Sequence, residues 1–442
     1  MILKNKKLGL NILITLSRQL LSAFLQLGSV ILVARLLGTQ GMGEYSLTIL
    51  IPQFLIAILN LGLPSSLVFF ISSKKHSLGE SVYWVNRFFL IFIPIVLAVI
   101  LSLFYFFHNS WFPDLSLFLI VTAVVCIPFM LIQVVQLSVF QALEDFKKFN
   151  FLTLIQPLTF LLGISILWTI DRIDTHMVVV AFFISQFTVW LFTRIYLNRI
   201  VPPPNMEEMK SGGILRQSFK YGIKAYLANI SAMISYRADL YIVGLLTNVS
   251  SAGIYAIALQ ISERLFIVSQ AVSTVLLPRL SGTNDSPAYQ TLLTSTIAKW
   301  TFFITILAGI ALFYTTKWLL VPFFGEAYRA SLEPMMVLII ACSFSGYARV
   351  VANALAAKNK PEWNLYIGLT AAAANVMLNL IFIPKYGIMG AAYATCISFG
   401  LNFILKILIF RYVYEASFGS LFSFKPEYNY LKRIITNGQP VN

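Results

Sequence analysis

The sequence predicts an all-α polytopic membrane protein with about twelve transmembrane helices. They form two pseudo-symmetric six-helix lobes around a central cationic cavity. Three observations predict this. The 442 residues are 58% hydrophobic and only 11% charged, with a mean hydropathy of +0.81, well outside the globular range. Apolar runs long enough to span a bilayer recur along the whole chain. Basic side chains stand inside those runs, where lipid alone would exclude them.

Met1 to Lys7 is basic and leads into an apolar run, like a signal peptide. No small-residue cleavage pattern follows, and the run continues past Arg18 to Leu37. An uncleaved first span is therefore expected over 10–37. Further spans follow at 44–71, 82–107, 115–142, 150–170 and 177–200. Pro202-Pro203-Pro204 through Ser211-Gly212-Gly213 breaks the pattern, because proline and glycine interrupt helices. The sequence thus divides into an N-lobe (1–200), a cytoplasmic linker (201–217), a C-lobe (218–414) and a cytoplasmic tail (415–442). Spans in the C-lobe are expected at 218–246, 251–280, 290–314, 332–357, 363–384 and 388–414. Segment 315–331 is amphipathic and is expected to lie at the membrane interface.

The net charge is +15, and its placement orients the chain. Eighteen of the Lys and Arg residues, among them Lys4, Lys74, Lys147, Arg199, Lys358 and Arg411, are assigned to one side, in loops, termini or span ends. Five (Arg35, Arg172, Lys317, Arg329 and Lys385) are assigned to the other, and nine lie deeper within spans. Positive loops stay cytoplasmic, so both termini are expected in the cytoplasm. No soluble domain carries the charge, which argues against nucleic acid as a partner. Cys126, Cys342 and Cys396 are far apart in apolar runs with no C-x-x-C pattern; they read as small core residues.

An internal repeat supports the two halves. Leu36-Leu37 followed by Gly43-Glu44-Tyr45 recurs as Leu245-Leu246 followed by Gly253-Ile254-Tyr255. Ala142-Leu143 with Lys147, Lys148 and Asn150 resembles Ala354-Leu355 with Lys358, Lys360 and Asn364. Six spans per unit make the repeats parallel. Gly38, Gly43, Gly244 and Gly253 lie near the repeat turns, either as ordinary loop glycines or to allow close helix approach.

The intramembrane charges point to function. Each costs about 2.5–3.5 kcal/mol at the centre of a lipid-facing helix, so they should face protein or a wet cavity. Arg18, Lys224, Arg237, Arg264 and Arg349 are the candidate substrate-binding cations. Lys406 and Lys299 are weaker candidates, expected to snorkel toward the cytoplasmic side. Asn11, Thr15, Arg18, Ser22, Gln26 and Ser29 fall within an arc of about 80° on the first helix. Lys220, Lys224, Ser231, Ser235 and Asp239 share an arc of about 100° on the seventh. Gln260, Glu263, Arg264 and Gln270 follow on the eighth.

Gln26, Ser22, Ser231, Ser235 and Gln260 are expected to line the cavity, with interhelical hydrogen bonding as the alternative. Cations in such an interior suit an anionic ligand, because the arginine fork matches phosphate oxygens. Asp239 and Glu263 are candidates for ion coupling, or partners of Arg237 and Arg264.

No G-x-x-x-x-G-K-[ST] loop occurs, and His76, His108 and His176 sit at isolated positions in predicted loops. No catalytic residue, metal site or cofactor is expected. Asp171 and Asp174 are paired carboxylates in one short loop. They would serve a membrane glycosyltransferase or polymerase, or simply be solvated.

Several motifs then resemble Wzx-type polysaccharide flippases. They include Val33-Ala34-Arg35-Leu36-Leu37-Gly38 with Gly43-Glu44-Tyr45-Ser46-Leu47, and Leu61-Gly62-Leu63-Pro64. Tyr236-Arg237-Ala238-Asp239 is followed by Gly253-Ile254-Tyr255-Ala256. Pro278-Arg279-Leu280, Phe323 to Tyr328, Asn353-Ala354-Leu355 and Pro384 to Ala392 complete the series. Each is loose; their shared order over nearly the whole chain carries the resemblance.

Such proteins belong to the multidrug/oligosaccharidyl-lipid/polysaccharide (MOP) exporter superfamily. The resemblance implies a MATE-like fold of twelve helices whose two lobes rock about the cavity. It implies an undecaprenyl-pyrophosphate-linked oligosaccharide as cargo, moved to the outer leaflet of the bacterial cytoplasmic membrane. A proton or sodium gradient is the expected drive, with a polysaccharide polymerase and a chain-length regulator as expected partners. A multidrug exporter is the rival within the superfamily, but more interior carboxylates would be expected of it. Lipid II flippases commonly carry two further C-terminal spans, which this sequence lacks.

Overall fold

The computed structural model describes residues 2–204, 213–281, 287–358 and 360–415. Among them every regular element is helical. The stretch Ile2–Leu59 is broken at Gly38 (φ 66°, ψ −171°), giving α1 (2–37) and α2 (39–59). After a break at Leu61 and Gly62, both with positive φ, α2 continues as Leu63–Ser72. Next come α3 (Leu78–Trp111), α4 (Leu117–Ala142), α5 (Phe146–Thr169) and α6 (Thr175–Ile200).

Then follow α7 (Gly213–Leu246) and α8, built from Val249–Ser262, a 3₁₀ turn Glu263–Leu265 and Phe266–Ser281. After these come α9 (Pro287–Phe324), a 3₁₀ segment Glu326–Ser331 and α10 (Leu332–Ala357). The last stretch, Pro361–Tyr414, is broken at Gly387 (φ 56°, ψ −135°) into α11 (361–386) and α12 (388–414).

Among the described residues, nine helical stretches are long and apolar enough to cross a membrane. Two of them, Ser17–Leu59 and Glu362–Tyr414, each hold two spans joined at a kinked glycine. The helix α7 falls short of that standard, since it carries Arg216, Lys220, Lys224, Arg237 and Asp239. With those three additions the twelve expected spans are accounted for. Segment 315–331 is helical: α9 runs on unbroken to Phe324, and 326–331 forms a separate 3₁₀ segment. His108 and His176 are also helical rather than in loops, in the last turn of α3 and the first of α6.

Side-chain caps fix four of the helix starts. Ser77 accepts from the Glu80 N–H (3.1 Å) and Ser116 from the Leu119 N–H (3.4 Å). Asp145 accepts from the Lys148 N–H (3.2 Å) and Asp174 from the Met177 N–H (2.7 Å). Each cap satisfies a backbone donor that the helix cannot. Prolines 52, 94, 128, 157, 322 and 384 lie inside helices, as bundled membrane helices tolerate.

The contacts sort the chain into two compact units: Met1–Ala256 with Leu320–Arg329, and Ile257–Leu319 with Ala330–Asn442. In the first unit α4 is central and packs on α1, α2, α3, α5 and α6. Ile120, Val124, Leu131 and Phe140 on α4 are at most 1% exposed. The helix α7 also belongs to this unit, tied at both ends. Gly62 and Gly222 meet backbone to backbone, Phe69 stacks on Tyr221 (4.3 Å), and His76 bonds Gln217 (3.0 Å). At its far end the Tyr241 hydroxyl donates to the Trp111 carbonyl (3.1 Å). The repeat divides the sequence after residue 200, whereas packing carries α7 over to the first six spans.

The linker begins at Pro202–Pro204, which lies against Gly79 at the start of α3; residues 205–212 and the tail 416–442 are outside the described residues. In the second unit Leu276, Ala298, Val350, Val351, Ala354 and Phe410 form the core. Tyr414 closes it, donating to the Ala354 carbonyl (2.9 Å) and stacking on Phe410 (4.5 Å). Cys126 and Cys342 are buried and all three cysteines are free.

Candidate functional site

The helix α1 delivers Arg18 to the N-terminal part of α5. Its Nε donates to the Asn150 side-chain oxygen (3.2 Å), and the guanidinium is half-buried. Among the described residues no carboxylate pairs with it. Arg18 lies twenty residues before the Gly38 kink, about 30 Å along the helix. A span one hydrocarbon thickness long that ends at that kink would begin near Arg18.

Farther along α1, Ser22 and Ser29 are buried. Gln26 is exposed and donates to the Ser22 hydroxyl (3.1 Å), and Ser29 bonds the Leu25 carbonyl (3.0 Å). The Ser29 hydroxyl is thus spent on its own helix. The side chains of Asn11, Thr15 and Lys224 lie outside the described residues.

On α7, Ser231 and Ser235 are buried, and the Ser231 hydroxyl has no hydrogen-bond partner among the described residues. Arg237 is partly buried and donates to the Tyr236 carbonyl (3.2 Å). Asp239 is fully buried. It accepts from the Tyr255 hydroxyl (2.7 Å) and from the Leu240 N–H (2.7 Å). Tyr255 is itself fully buried on α8, so a buried hydroxyl is among the groups that hold this acid.

In the second unit, Glu263 and Arg264 occupy the 3₁₀ turn that interrupts α8, and Gln260 precedes it. Such interruptions often mark hinges. Arg349 on α10 lies over the Phe266 ring (5.3 Å), a cation–π contact. Lys406 stands on α12 and is partly buried. Lys299 is 4% exposed, so it is enclosed by protein rather than snorkelling.

Asp174 serves as the N-cap of α6, a structural use, whereas Asp171 is exposed with φ 52°. Among the described residues, no group of three or more His, Cys, Asp or Glu side chains is gathered.

One buried polar cluster went unread in the sequence. Asn375 donates to Ser398 (3.1 Å) and Thr395 (3.4 Å), and Asn379 donates to Asn375 (3.0 Å). All four are at most 3% exposed. They knit α11 to α12, and the Asn379 side-chain oxygen has no partner among the described residues. Two asparagines four apart in an apolar run were the available signal.

The fold resembles a solved structure titled "Lipid II flippase MurJ, inward closed conformation", with a TM-score of 0.73, 17% identity, and 97% of this chain and 94% of that one covered. This shows a shared fold. Over 193 residues the chain is 23% identical to a Haloferax volcanii protein named "Probable low-salt glycan biosynthesis flippase Agl15", covering 43% of this chain and 41% of that protein. Over 147 residues it is 33% identical to an uncharacterized membrane protein of Methanocaldococcus jannaschii, covering 33% and 34%. The chain thus spans less than half the length of these relatives. A family model described as "Polysaccharide biosynthesis protein" matches residues 8–284, well over half the chain, and the protein is a member of that family of multi-pass membrane proteins.

Proposed function

We propose that the protein is a flippase for lipid-linked oligosaccharides. It moves an undecaprenyl-pyrophosphate-linked repeat unit from the cytoplasmic to the outer leaflet by alternating access. The observation that carries this is Arg18: an intramembrane guanidinium beside a neutral amide, with no carboxylate paired to it among the described residues. Such a charge has net attraction left for an anion, and a pyrophosphate headgroup at the membrane boundary supplies one. Family membership and a relative named as a glycan biosynthesis flippase support the same reading.

Arg18, Lys224, Arg237, Arg264 and Arg349 receive the phosphates in this scheme. Gln26, Ser22, Ser231, Ser235 and Gln260 meet the sugars, and the polyprenyl tail stays in lipid. Asp239 and Glu263 couple the cycle to a proton or sodium gradient. The protein acts in the bacterial cytoplasmic membrane with both termini inside, ahead of a polysaccharide polymerase and a chain-length regulator.

The test is complementation of a strain lacking its flippase, with accumulated lipid-linked intermediates identified by mass spectrometry. Wild type should clear the intermediate, and Arg18→Gln should restore its accumulation at normal protein abundance. Full activity of Arg18→Gln would remove that arginine from the site. Clearance of cationic drugs without any effect on the intermediate would favour a multidrug exporter.

A further inference from the structure

Asn150 stands in the second turn of α5 and is 3% exposed. Its side-chain oxygen takes the Nε–H of Arg18 at 3.2 Å, across 132 residues of sequence. Its backbone carbonyl takes the Thr153 hydroxyl (3.0 Å). Arg18 has no other hydrogen bond or ion pair among the described residues.

An arginine offers five N–H donors in a planar fork. Holding Nε fixes the plane of the fork and leaves the edge formed by Nη1 and Nη2, which is the edge that takes a phosphate bidentately. The chemistry of the partner matters as much as its position. A carboxylate at 150 would orient Arg18 equally well but would cancel its charge. An amide orients without neutralising. Burial of the amide makes its placement firm, since a buried acceptor left unmade is costly.

Depth adds a second constraint. Asn150 is four residues past the start of α5, about 6 Å along the helix, so both partners lie at the same membrane boundary. A lipid phosphate resides at that level, with its tail alongside in the hydrocarbon.

We infer that Asn150 is a positioning residue for the anionic headgroup: it holds the Arg18 guanidinium in a phosphate-ready orientation while leaving its positive charge intact. This rests on the flippase reading and assigns the site a residue that its charge pattern did not reveal.

The test uses the full chain, purified in detergent, titrated with undecaprenyl pyrophosphate and followed by thermal unfolding. Asn150→Asp is nearly isosteric and gains an ion pair. It should weaken binding about tenfold or more, as Arg18→Gln does, with an unfolding midpoint equal to or above wild type. Asn150→Ala should weaken binding less, about threefold, because the charge survives without its orientation. The double variant Asn150→Asp/Arg18→Gln should bind no worse than Arg18→Gln alone, since the two act as a unit.

A structural role alone predicts that Asn150→Asp binds as wild type. That outcome, with Arg18→Gln still impaired, overturns the inference and leaves the flippase site standing. Additive losses in the double variant overturn it as well. If Arg18→Gln itself binds as wild type, the flippase reading of Arg18 falls first. Should Asn150→Asp not fold, Asn150→Ala and its double variant with Arg18→Gln decide the same question.

Discussion

Gly43 and Gly253 make a reciprocal contact. A Cβ on Gly43 would strike the Val249 carbonyl, and a Cβ on Gly253 would strike the Thr39 carbonyl. The same offset of 210 residues separates Gly43 from Gly253 and Thr39 from Val249. The internal repeat is therefore realised as a pseudo-symmetric seam, where α2 and α8 begin. Of the two accounts of these glycines, close approach is the one that applies.

Replacing either glycine by alanine forces backbone apart, and neither carbonyl can rotate away. Gly43→Ala and Gly253→Ala should each cost about 1–3 kcal/mol. Gly244 is a useful contrast, because its Cβ would meet the Leu47 side chain at 2.8 Å, which can yield. Thermal unfolding in detergent should rank Gly244→Ala nearest wild type. Equal midpoints for all three would refute the seam.

The two kinked glycines should fail for a different reason. Around Gly38 (φ 66°, ψ −171°) and Gly387 (φ 56°, ψ −135°), an added Cβ would meet nothing within 4 Å. Space is not the limit there; backbone conformation is. Their region is nearly exclusive to glycine, and a side chain costs of order 1–3 kcal/mol. Asparagine should rescue neither, since it favours the left-handed helical region and not this one. Stability of Gly38→Asn matching wild type would contradict the geometry.

Asp145, between α4 and α5, gives a pH signature. Burial works to raise its carboxyl, but the Lys148 side chain (3.0 Å) and N–H, with the charges of Lys148 and Lys147, outweigh it. The carboxyl is held below its usual range. A depressed folded value contributes stability above the unfolded value, about 3.9, and loses it as pH falls through the folded value. Asparagine caps as well as aspartate, so Asp145→Asn isolates the charge. Wild type should exceed Asp145→Asn by less than about 1 kcal/mol near neutral pH. The difference should begin to shrink below about pH 4 and vanish once the pH lies below the folded value. A gap that persists or widens in acid would show that the ion pair is not its source.

The two carboxylates of the 171–174 loop should separate cleanly. Asp174→Ala removes the α6 cap and should cost about 1 kcal/mol while leaving polysaccharide assembly intact at restored abundance. Asp171→Asn should change neither stability nor assembly. Loss of assembly in Asp171→Asn would revive a catalytic reading of that loop.

The twelve spans were legible because hydrophobic length and punctuation are local properties. Runs of apolar residues, Pro202-Pro203-Pro204 and the caps Ser77, Ser116, Asp145 and Asp174 set boundaries without knowing what they pack against. The Gly43 and Gly253 repeat was legible for the same reason.

The sequence by itself determined that Arg18, Asp239, Glu263 and Arg349 needed shelter from lipid, because the cost of a buried charge follows from its identity and its run. It could not say what shelters each. Tertiary packing alone chose the partners: Asn150 for Arg18, Tyr255 for Asp239, and Phe266 for Arg349. It also tied α7 to the first unit through Gly62 with Gly222 and Phe69 with Tyr221. Those choices depend on which helix faces which, and a helix's own periodicity marks a polar face without naming the neighbour that will meet it.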